Sequence, residues 1–278
     1  MKIIVLSSAF FLLFITAGYA AFMTNLNITT KGNIKEKIVD ITQDIVTSGD
    51  GLYEDVYEKG WYVYKGTDPN NYIKFDNGEM WRIVSKEKDG TYKIIKNDLL
   101  KIQEWDITGG TYGSNNWSRP ADLNAYLNGE YYNSLDSSIK SYAVSHNWGI
   151  GAVTYNNNDL TSQINDENNT TWNGEIGLIS ASDYLRANTN TEQCGTHKLN
   201  QENPSICKET NWLFAEDYWT ISAYASDDHH VFIIHSSGGL DTYFANYQEK
   251  QVRPALYLNF DVKITGKGSI NEPYKIIS

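Results

Sequence analysis

Short runs of aromatic and β-branched residues, separated by turn residues, constrain this chain more than any other feature. They cover residues 61–64, 79–84, 91–95, 218–222, 231–234, 240–244 and 252–258. Because bulky and branched side chains fit a pleated, half-buried surface, these runs predict β strands. The Asp89-Gly90 and Gly238-Gly239 turns predict that two neighbouring pairs of strands form hairpins.

Helical patterns stand between the two groups of strands. A first helix is predicted to begin at Pro120 and end at Gly129, and a second covers 131–144 with apolar residues at helical spacing. Ser182 is a candidate N-cap for a third, short helix. Strands, then helices and long loops, then strands again predict an irregular α+β fold with short antiparallel strands, not a parallel sheet.

Charge excludes one large class of function. The chain has 23 Lys and Arg against 34 Asp and Glu, a net charge of −11. A protein that follows nucleic-acid phosphates needs the opposite sign, so we expect no nucleic-acid partner. The 20 Tyr and 8 Trp supply rigid, amphipathic contact area, which is typical of surfaces that bind.

The N-terminus predicts export. Lys2 precedes an apolar stretch, and Gly18 and Ala20 provide the small residues that signal peptidase requires. The same stretch is long enough to span a bilayer once. Residues 1–23 are therefore a signal peptide or a transmembrane anchor, and the chain is either secreted or held at the membrane with an extracellular domain.

Residues 24–50 are polar and predict a stalk or linker. Isoleucines at positions 34, 38, 41 and 45 follow a helical spacing within it. The turn-rich join at 48–51 predicts the domain boundary. Residues 51–278 then form one domain.

Cysteine usage agrees with export. Cys194 and Cys207 flank a loop-rich stretch, and in an oxidising compartment such a pair predicts a disulfide. A metal site is the alternative, but two thiols without a Cys-x-x-Cys spacing are not typical of zinc binding.

Motifs of catalysis and cofactor binding are not found. The sequence has no phosphate-binding loop, dinucleotide fingerprint, zinc-protease motif or serine elbow, so we expect neither an enzyme nor a cofactor. Asp227, Asp228, His229 and His230 are possible metal ligands. Adjacent residues of a strand point to opposite faces, which favours a solvated loop and no metal there unless the loop folds back.

Several segments together are similar to an uncharacterised family of exported or anchored bacterial proteins. The resemblance covers about residues 50–278, and its most specific part is the C-terminal tail. It is carried by the segments 51–53, 62–66, 71–73, 80–84, 116–120, 123–128, 182–184, 218–222, 252–258, 268–269 and 273–274.

The C-terminal half of that family resembles the fold of C-type lectins and formylglycine-generating enzymes. The resemblance implies a compact domain in which a Trp-containing strand, here the one with Trp219, pairs with a late strand. This sequence departs from the calcium and sugar motifs of C-type lectins, because Glu202-Asn203-Pro204 has the wrong order and Trp172-Asn173 is followed by Gly174. No reactive cysteine pair or metal-binding histidine set of the enzymes can be matched.

These observations predict a cell-surface protein that binds a glycan or a protein through its loops, without catalysis. Sugars stack on tryptophan, and the candidate ligand-binding residues, expected to be exposed, are Trp105, Trp117, Trp148 and Trp172. Core packing is the alternative role for each of them. A structural subunit of a fibre or matrix and an enzyme like the formylglycine-generating ones are the alternative functions.

Arg253 is predicted to be structural. It stands between Val252 and Pro254 in an otherwise apolar run. Because a guanidinium carries five donors in a planar fork, we expect it to hold backbone carbonyls or a carboxylate near the Trp219 strand.

Overall fold

The computed structural model describes residues 37–154 and 158–277, and the chain from Lys37 onward forms one compact unit. The predicted signal peptide or anchor at 1–23 lies outside the described residues, as does the stalk up to residue 36. Within the described part, every helix is too short or too polar to cross a membrane.

Seventeen strands are present in the described residues. They are β1 Gly51–Glu54, β2 Tyr62–Lys65, β3 Tyr72–Lys74, β4 Met80–Lys86, β5 Tyr92–Lys96, β6 Leu100–Ile102, β7 Ala143–Val144, β8 His146–Gly149, β9 Thr171–Gly174, β10 Ile176–Gly177, β11 Tyr218–Ala223, β12 His230–Ile234, β13 Leu240–Phe244, β14 Gln251–Val252, β15 Ala255–Leu258, β16 Lys263–Thr265 and β17 Lys275–Ile277.

The strands form two large sheets. An eight-stranded sheet has the order β1-β2-β4-β5-β15-β10, with β3 beside β4 and β7 beside β15, and a five-stranded sheet has the order β13-β12-β11-β14-β6. Strands β8 and β9 pair with each other, as do β16 and β17. Pairing is mostly antiparallel, and both predicted hairpins, β4–β5 and β12–β13, are present. The predicted α+β class is confirmed.

The helices are short. They are a 3₁₀ turn Ile41–Gln43, α1 Asp122–Tyr126, a π turn Leu127–Tyr131, α2 Tyr132–Ser134, α3 Ser137–Lys140, α4 Leu160–Asn168, α5 Ala181–Arg186, α6 Thr191–Cys194, α7 His197–Glu202 and α8 Pro204–Glu209.

The predicted helices differ from these at several boundaries, and the sequence pattern does not predict α4 or α6–α8. The first helix begins at Asp122, with Ala121 as its N-cap, and not at Pro120. It does not end at Gly129, because the π turn and α2 continue it. The stretch 131–144 is not one helix: Leu135 is extended, and the Asp136 side chain accepts from the backbone N–H of Ser138 to start a new turn. The third helix is capped by Ser180 and not by Ser182, since the Ser180 hydroxyl accepts from the N–H of Asp183.

Part of the predicted stalk packs on the domain. Ile41 is buried, and Val39 forms a backbone bridge with Ile264 of β16. Of the helix predicted from the isoleucine spacing, the described residues contain only the 3₁₀ turn Ile41–Gln43. Residues 37–50 are therefore a part of the compact unit.

The run 252–258, predicted as one strand, is divided between the two sheets. Strand β14 pairs with β11 and β6 in the five-stranded sheet, whereas β15 pairs with β5 in the eight-stranded one. Arg253 and Pro254 make the crossing, where the proline has no N–H to contribute to a ladder. The late partner of the Trp219 strand is thus β14, in parallel.

Two local predictions are confirmed. Cys194 and Cys207 form a disulfide that joins α6 to α8, with Cα atoms 5.5 Å apart. Arg253 is buried, and its guanidinium donates to the carbonyl oxygens of Lys96 at 2.8 Å and Leu213 at 3.3 Å.

Candidate functional site

A cavity of about 240 Å³ lies where the eight-stranded sheet meets the β8–β9 hairpin. Strands β5, β8, β11 and β15 and helices α4 and α5 contribute side chains to its wall. Pockets for drug-sized ligands measure about 300–1,000 Å³. This cavity therefore suits a small molecule or one unit of a larger ligand.

Ion pairs form one wall of the cavity. The Arg186 guanidinium lies 2.8 Å from Asp55 Oδ2 and 3.1 Å from Asp183 Oδ1, and it also pairs with Glu58. Lys93 Nζ lies 3.0 Å from Asp183 Oδ2. Burial would raise the pKa of Asp183, but Lys93 and Arg186 hold it below its ordinary value. Asp183 is therefore ionised between two cations.

The start of α5 explains why these charges meet. Ser180 and Asp183 form a capping box, in which the Ser180 N–H also donates to Asp183 Oδ2 at 2.9 Å. Arg186 stands three residues after Asp183, so both side chains lie on the same face of the helix. One helical turn thus presents a carboxylate and a guanidinium to the sheet.

Glu87 and His146 form a second titratable pair. The imidazole of His146 stacks on Tyr257 with 3.7 Å between ring centroids, and its Nε2 lies 3.5 Å from Glu87 Oε2. Burial raises the pKa of Glu87 to about 7, although the Lys93 charge lowers it in part. Burial and Lys93 lower the pKa of His146. Near neutral pH the pair is a half-protonated acid beside a neutral imidazole.

Glu167, on helix α4, is a third acid at the cavity. It accepts from Ser222 Oγ at 2.8 Å and from the N–H of Ser182 at 3.2 Å. Its burial raises its pKa, and the serine bonds offset this only in part. The group adds hydrogen-bonding capacity to the wall through these neutral donors.

Aromatic rings line the same space. Trp61 is half-buried, and Trp148 is buried with its Nε1 donating to the carbonyl oxygen of Gly174 at 3.0 Å. Lys93 Nζ lies 5.7 Å from the Trp148 ring centroid and 5.4 Å from that of Tyr257. The wall therefore alternates aromatic surface with carboxyl, imidazole and ammonium groups.

None of the four predicted ligand-binding tryptophans is exposed, which corrects the expectation. Trp105, Trp117 and Trp148 are buried, and Trp105 and Trp117 pack with ring centroids 5.3 Å apart. Trp105 Nε1 finds a partner in the carbonyl oxygen of Thr220. Of the four, Trp148 lines the cavity, and Trp172 is half-buried beside a separate shallow groove.

The other functional side chains come from distant positions that motif searching cannot connect. The signal in the sequence is weak: Lys93 interrupts an apolar strand run, and Glu87 precedes the β4–β5 turn. Their proximity to Arg186 and His146 depends on the strand order of the sheet.

Two groups of side chains within the described residues could hold a metal ion. Glu87, Asp89 and His146 have ligand atoms within 4.8 Å of one another, but Lys93 already supplies positive charge there. The second group contains Asp227 and two adjacent histidines. Its loop does fold back, contrary to the sequence expectation that adjacent residues would point apart.

We expect the contribution of Glu87 to the free energy of unfolding to fall as the pH rises from about 4.5 to about 7. Burial raises its pKa from the ordinary value of 4.5 to about 7. The folded state therefore holds more protons than the unfolded state over this interval, and the stabilisation from protonated Glu87 is lost as the pH rises. Glu167 acts in the same direction. Urea unfolding at several pH values measures the effect.

The Glu87→Gln variant is the control for that measurement, since glutamine keeps the shape and does not titrate. The stability difference between the two proteins should change by on the order of 3 kcal/mol across the interval. Comparison with the variant is needed because burial lowers the pKa of His197 to about 4, and that group destabilises the fold as the pH falls. If the unfolding free energies of the two proteins change in parallel with pH, Glu87 does not cause the pH dependence.

Comparison with known proteins identifies a family to which part of the chain is similar. A model of a domain of unknown function (DUF6273) matches residues 89–260. No curated protein and no solved structure matches the chain. The matched region includes Lys93, His146, Glu167 and Arg186 and leaves Trp61 and Glu87 outside it. Since the match covers more than half of the chain, this protein is a member of the DUF6273 family.

Proposed function

We propose that the protein is an exported cell-surface binding protein, anchored at the membrane or secreted, and that the cavity holds one sugar unit of a glycan. The observation that carries this proposal is a cavity wall that alternates aromatic rings with polar side chains. Sugars present both apolar ring faces and hydroxyl groups, so such a wall matches them on both counts.

The pairing of charges favours a neutral, hydroxylated ligand over a charged one. Lys93 and Arg186 already contact Asp183, Asp55 and Glu58. A charged ligand would have to break these buried pairs, which costs several kcal/mol. Hydroxyl groups add hydrogen bonds without removing any.

One carboxyl oxygen of the cavity wall can accept a hydrogen bond from a ligand hydroxyl group. Glu87 Oε1 is buried and has no hydrogen-bond partner within the described residues. A buried acceptor without a donor costs about 1–3 kcal/mol, which a ligand hydroxyl would recover. The exposed amides of Asn147 and Asn168 stand at the cavity and offer both donors and acceptors.

A C-type-lectin-like fold is the finer part of the proposal. Its support is the antiparallel, loop-rich body and the pairing of the Trp219 strand with a late strand. The calcium motifs are replaced in this chain, so we propose sugar binding that does not need calcium.

A glycan array tests the function. Full-length protein is applied with calcium and again with a chelator, and we expect the same glycans to be bound in both cases. Binding lost with the chelator would contradict the calcium-independent site. Filaments that form with rising concentration, and no bound glycan, would favour the structural subunit instead. A glycan released in altered form would favour an enzyme.

We expect Trp61→Ala to weaken glycan binding about tenfold or more, which corresponds to about 1.4 kcal/mol. Trp61 is a half-buried indole in the cavity wall, so a ligand can cover it without unfolding the core. Isothermal titration with a glycan found on the array measures the change.

Trp172→Ala is the matched control. Trp172 is also half-buried, but it borders a groove with Pro120 and Asn124 and not the cavity. Its loss should leave the affinity unchanged. If Trp172→Ala weakens binding and Trp61→Ala does not, the ligand lies in that groove and the cavity assignment is wrong.

A further inference from the structure

The loop before β12 brings a carboxylate and two imidazoles together. The ligand atoms of Asp227, His229 and His230 all lie within 4.8 Å of one another. His230 Nδ1 is 2.7 Å from Asp227 Oδ2, and His229 Nδ1 is 3.8 Å from Asp227 Oδ1. Both Nδ1 atoms thus face the same carboxylate, although the two histidines are adjacent in sequence.

Backbone hydrogen bonds explain how adjacent histidines come to face one group. Asp227 Oδ1 accepts from the N–H groups of His229 at 3.0 Å and His230 at 2.8 Å, which turns the chain back on itself. Asn115, from a distant loop, donates its side-chain amide to the carbonyl oxygens of Asp227 and His230. Its backbone N–H also donates to the carbonyl of Asp228 at 2.8 Å. The turn is therefore held both by its own Asp227 side chain and by Asn115 from the distant loop.

Aromatic packing orients the two imidazole rings. Phe244 of β13 lies against both, with centroid distances of 5.5 Å to His229 and 4.3 Å to His230. Tyr112 stacks on Phe244 at 4.7 Å and contacts His229 at 5.5 Å. Rings held in this way lose little freedom when they bind a ligand, which is the condition for a preorganised site.

We propose that Asp227, His229 and His230 form a binding site for a divalent transition-metal ion of the zinc class. Two imidazole nitrogens and one carboxylate are ligands that such ions prefer, whereas calcium and magnesium prefer oxygen alone. Asp228 is 98% exposed at its side chain and lies 3.0 Å from His229 Nδ1 through Oδ1. Asp228 is not one of the residues whose ligand atoms lie within 4.8 Å of one another, so water is the fourth ligand of a tetrahedral set.

The site is distinct from the sugar cavity, since none of its three residues lines that cavity. It does not rest on the proposed glycan function. Its failure and the failure of glycan binding are therefore separate results.

The chain offers a sharp test because it has only 5 histidines and its two cysteines form a disulfide. Full-length protein without a polyhistidine tag is titrated with zinc sulfate alone in a calorimeter. We expect one zinc ion per chain, with binding at least tenfold weaker in His229→Ala and in His230→Ala. A cobalt(II) titration should give the absorption bands of a tetrahedral ion in the native protein and lose them in both variants.

Three further variants test whether the ion lies at this loop and not at another histidine. Asp227→Asn keeps an acceptor for the two backbone N–H groups, so it should fold as the native protein does and still bind zinc at least tenfold more weakly. His235→Ala removes a half-buried histidine that contacts Ser237 outside the cluster, and it should bind normally. His146→Ala tests the group at the cavity and should also bind normally.

Several results would overturn the proposal. These are no zinc binding below millimolar concentration, unchanged affinity in Asp227→Asn, or an equal loss in His235→Ala. A loss in His146→Ala, with normal binding in His229→Ala and His230→Ala, would assign the ion to the cavity group instead.

Discussion

Replacement of Arg186 by methionine should lower the free energy of unfolding by about 3–5 kcal/mol. Methionine keeps the length and the apolar stem of the side chain, but it removes the guanidinium from buried Asp55 and leaves Asp183 with Lys93 as its remaining ion-pair partner. These carboxylates are only 1% and 2% exposed, so water cannot replace the guanidinium. For a domain of this size the loss corresponds to a fall of about 6–20 °C in Tm. Urea denaturation and calorimetry measure both quantities.

The pH dependence of that variant gives a second readout. Without Arg186 the buried Asp183 has less positive charge near it, so its pKa rises. The deficit relative to the native protein should then shrink as the pH falls and Asp183 takes up a proton. A purely steric effect of methionine would leave the deficit constant with pH.

Lys267→Met is the control, because Lys267 pairs with Glu272 at the surface and both side chains are more than half exposed. Exposed pairs of this kind contribute about 0–1 kcal/mol. The assignment fails if Arg186→Met lowers Tm by no more than Lys267→Met does. In that case Asp55, Glu58 and Asp183 do not depend on Arg186, and the ion network is misassigned.

Arg253→Ala should destabilise the fold by about 3 kcal/mol or more, with a fall in Tm of about 6–12 °C. The guanidinium donates to Lys96, at the end of a strand in one sheet, and to Leu213, in the segment that leads into the other. It also lies 5.9 Å from the Tyr218 ring. Its removal takes this donor from the Lys96 carbonyl and leaves the Leu213 carbonyl with the Tyr218 hydroxyl as its donor, where the chain crosses between sheets. Thermal denaturation and the yield of exported protein measure the effect.

Arg253→Lys separates charge from geometry. Lysine keeps the cation but has no planar fork with which to reach two carbonyl oxygens, so it should recover only part of the stability. An Arg253→Ala variant that melts like the native protein and loses glycan binding would place the residue in a ligand site instead.

Features that depend on neighbours in the sequence are predictable. The Asp89-Gly90 and Gly238-Gly239 turns place φ-permissive glycines between two β-patterned runs, and both hairpins are present. The Cys194–Cys207 disulfide follows from the short separation of the two residues and the predicted export. The structural role of Arg253 follows because a lone guanidinium in an apolar run needs backbone acceptors.

Helix extents are less predictable because periodicity competes with local capping. Residues 131–144 have apolar side chains at helical spacing, yet Asp136 accepts from the N–H of Ser138 and ends that helix. Ser182 has a capping side chain, but Ser180 stands at the true start because Asp183 completes its capping box. A single side-chain hydrogen bond marks the first of these boundaries, and the two bonds of a capping box mark the second.

Burial of the tryptophans does not follow from the sequence, because each buried indole packs against distant parts of the chain, and for two of them the N–H also finds an acceptor there. For Trp105 that acceptor is the carbonyl of Thr220, and for Trp148 it is that of Gly174. Neither partner follows from local pattern.

The sequence by itself determined the α+β class, the hairpins, the disulfide and the structural role of Arg253, since each depends on the conformational preferences or chemistry of a short segment. Only the tertiary structure decided which charged groups share the cavity. Lys93 meets Asp183 because β5 and α5 face the same space, and Asn115 folds the loop at His229 from more than a hundred residues away. Such contacts are set by strand order and long-range packing, which no single segment encodes.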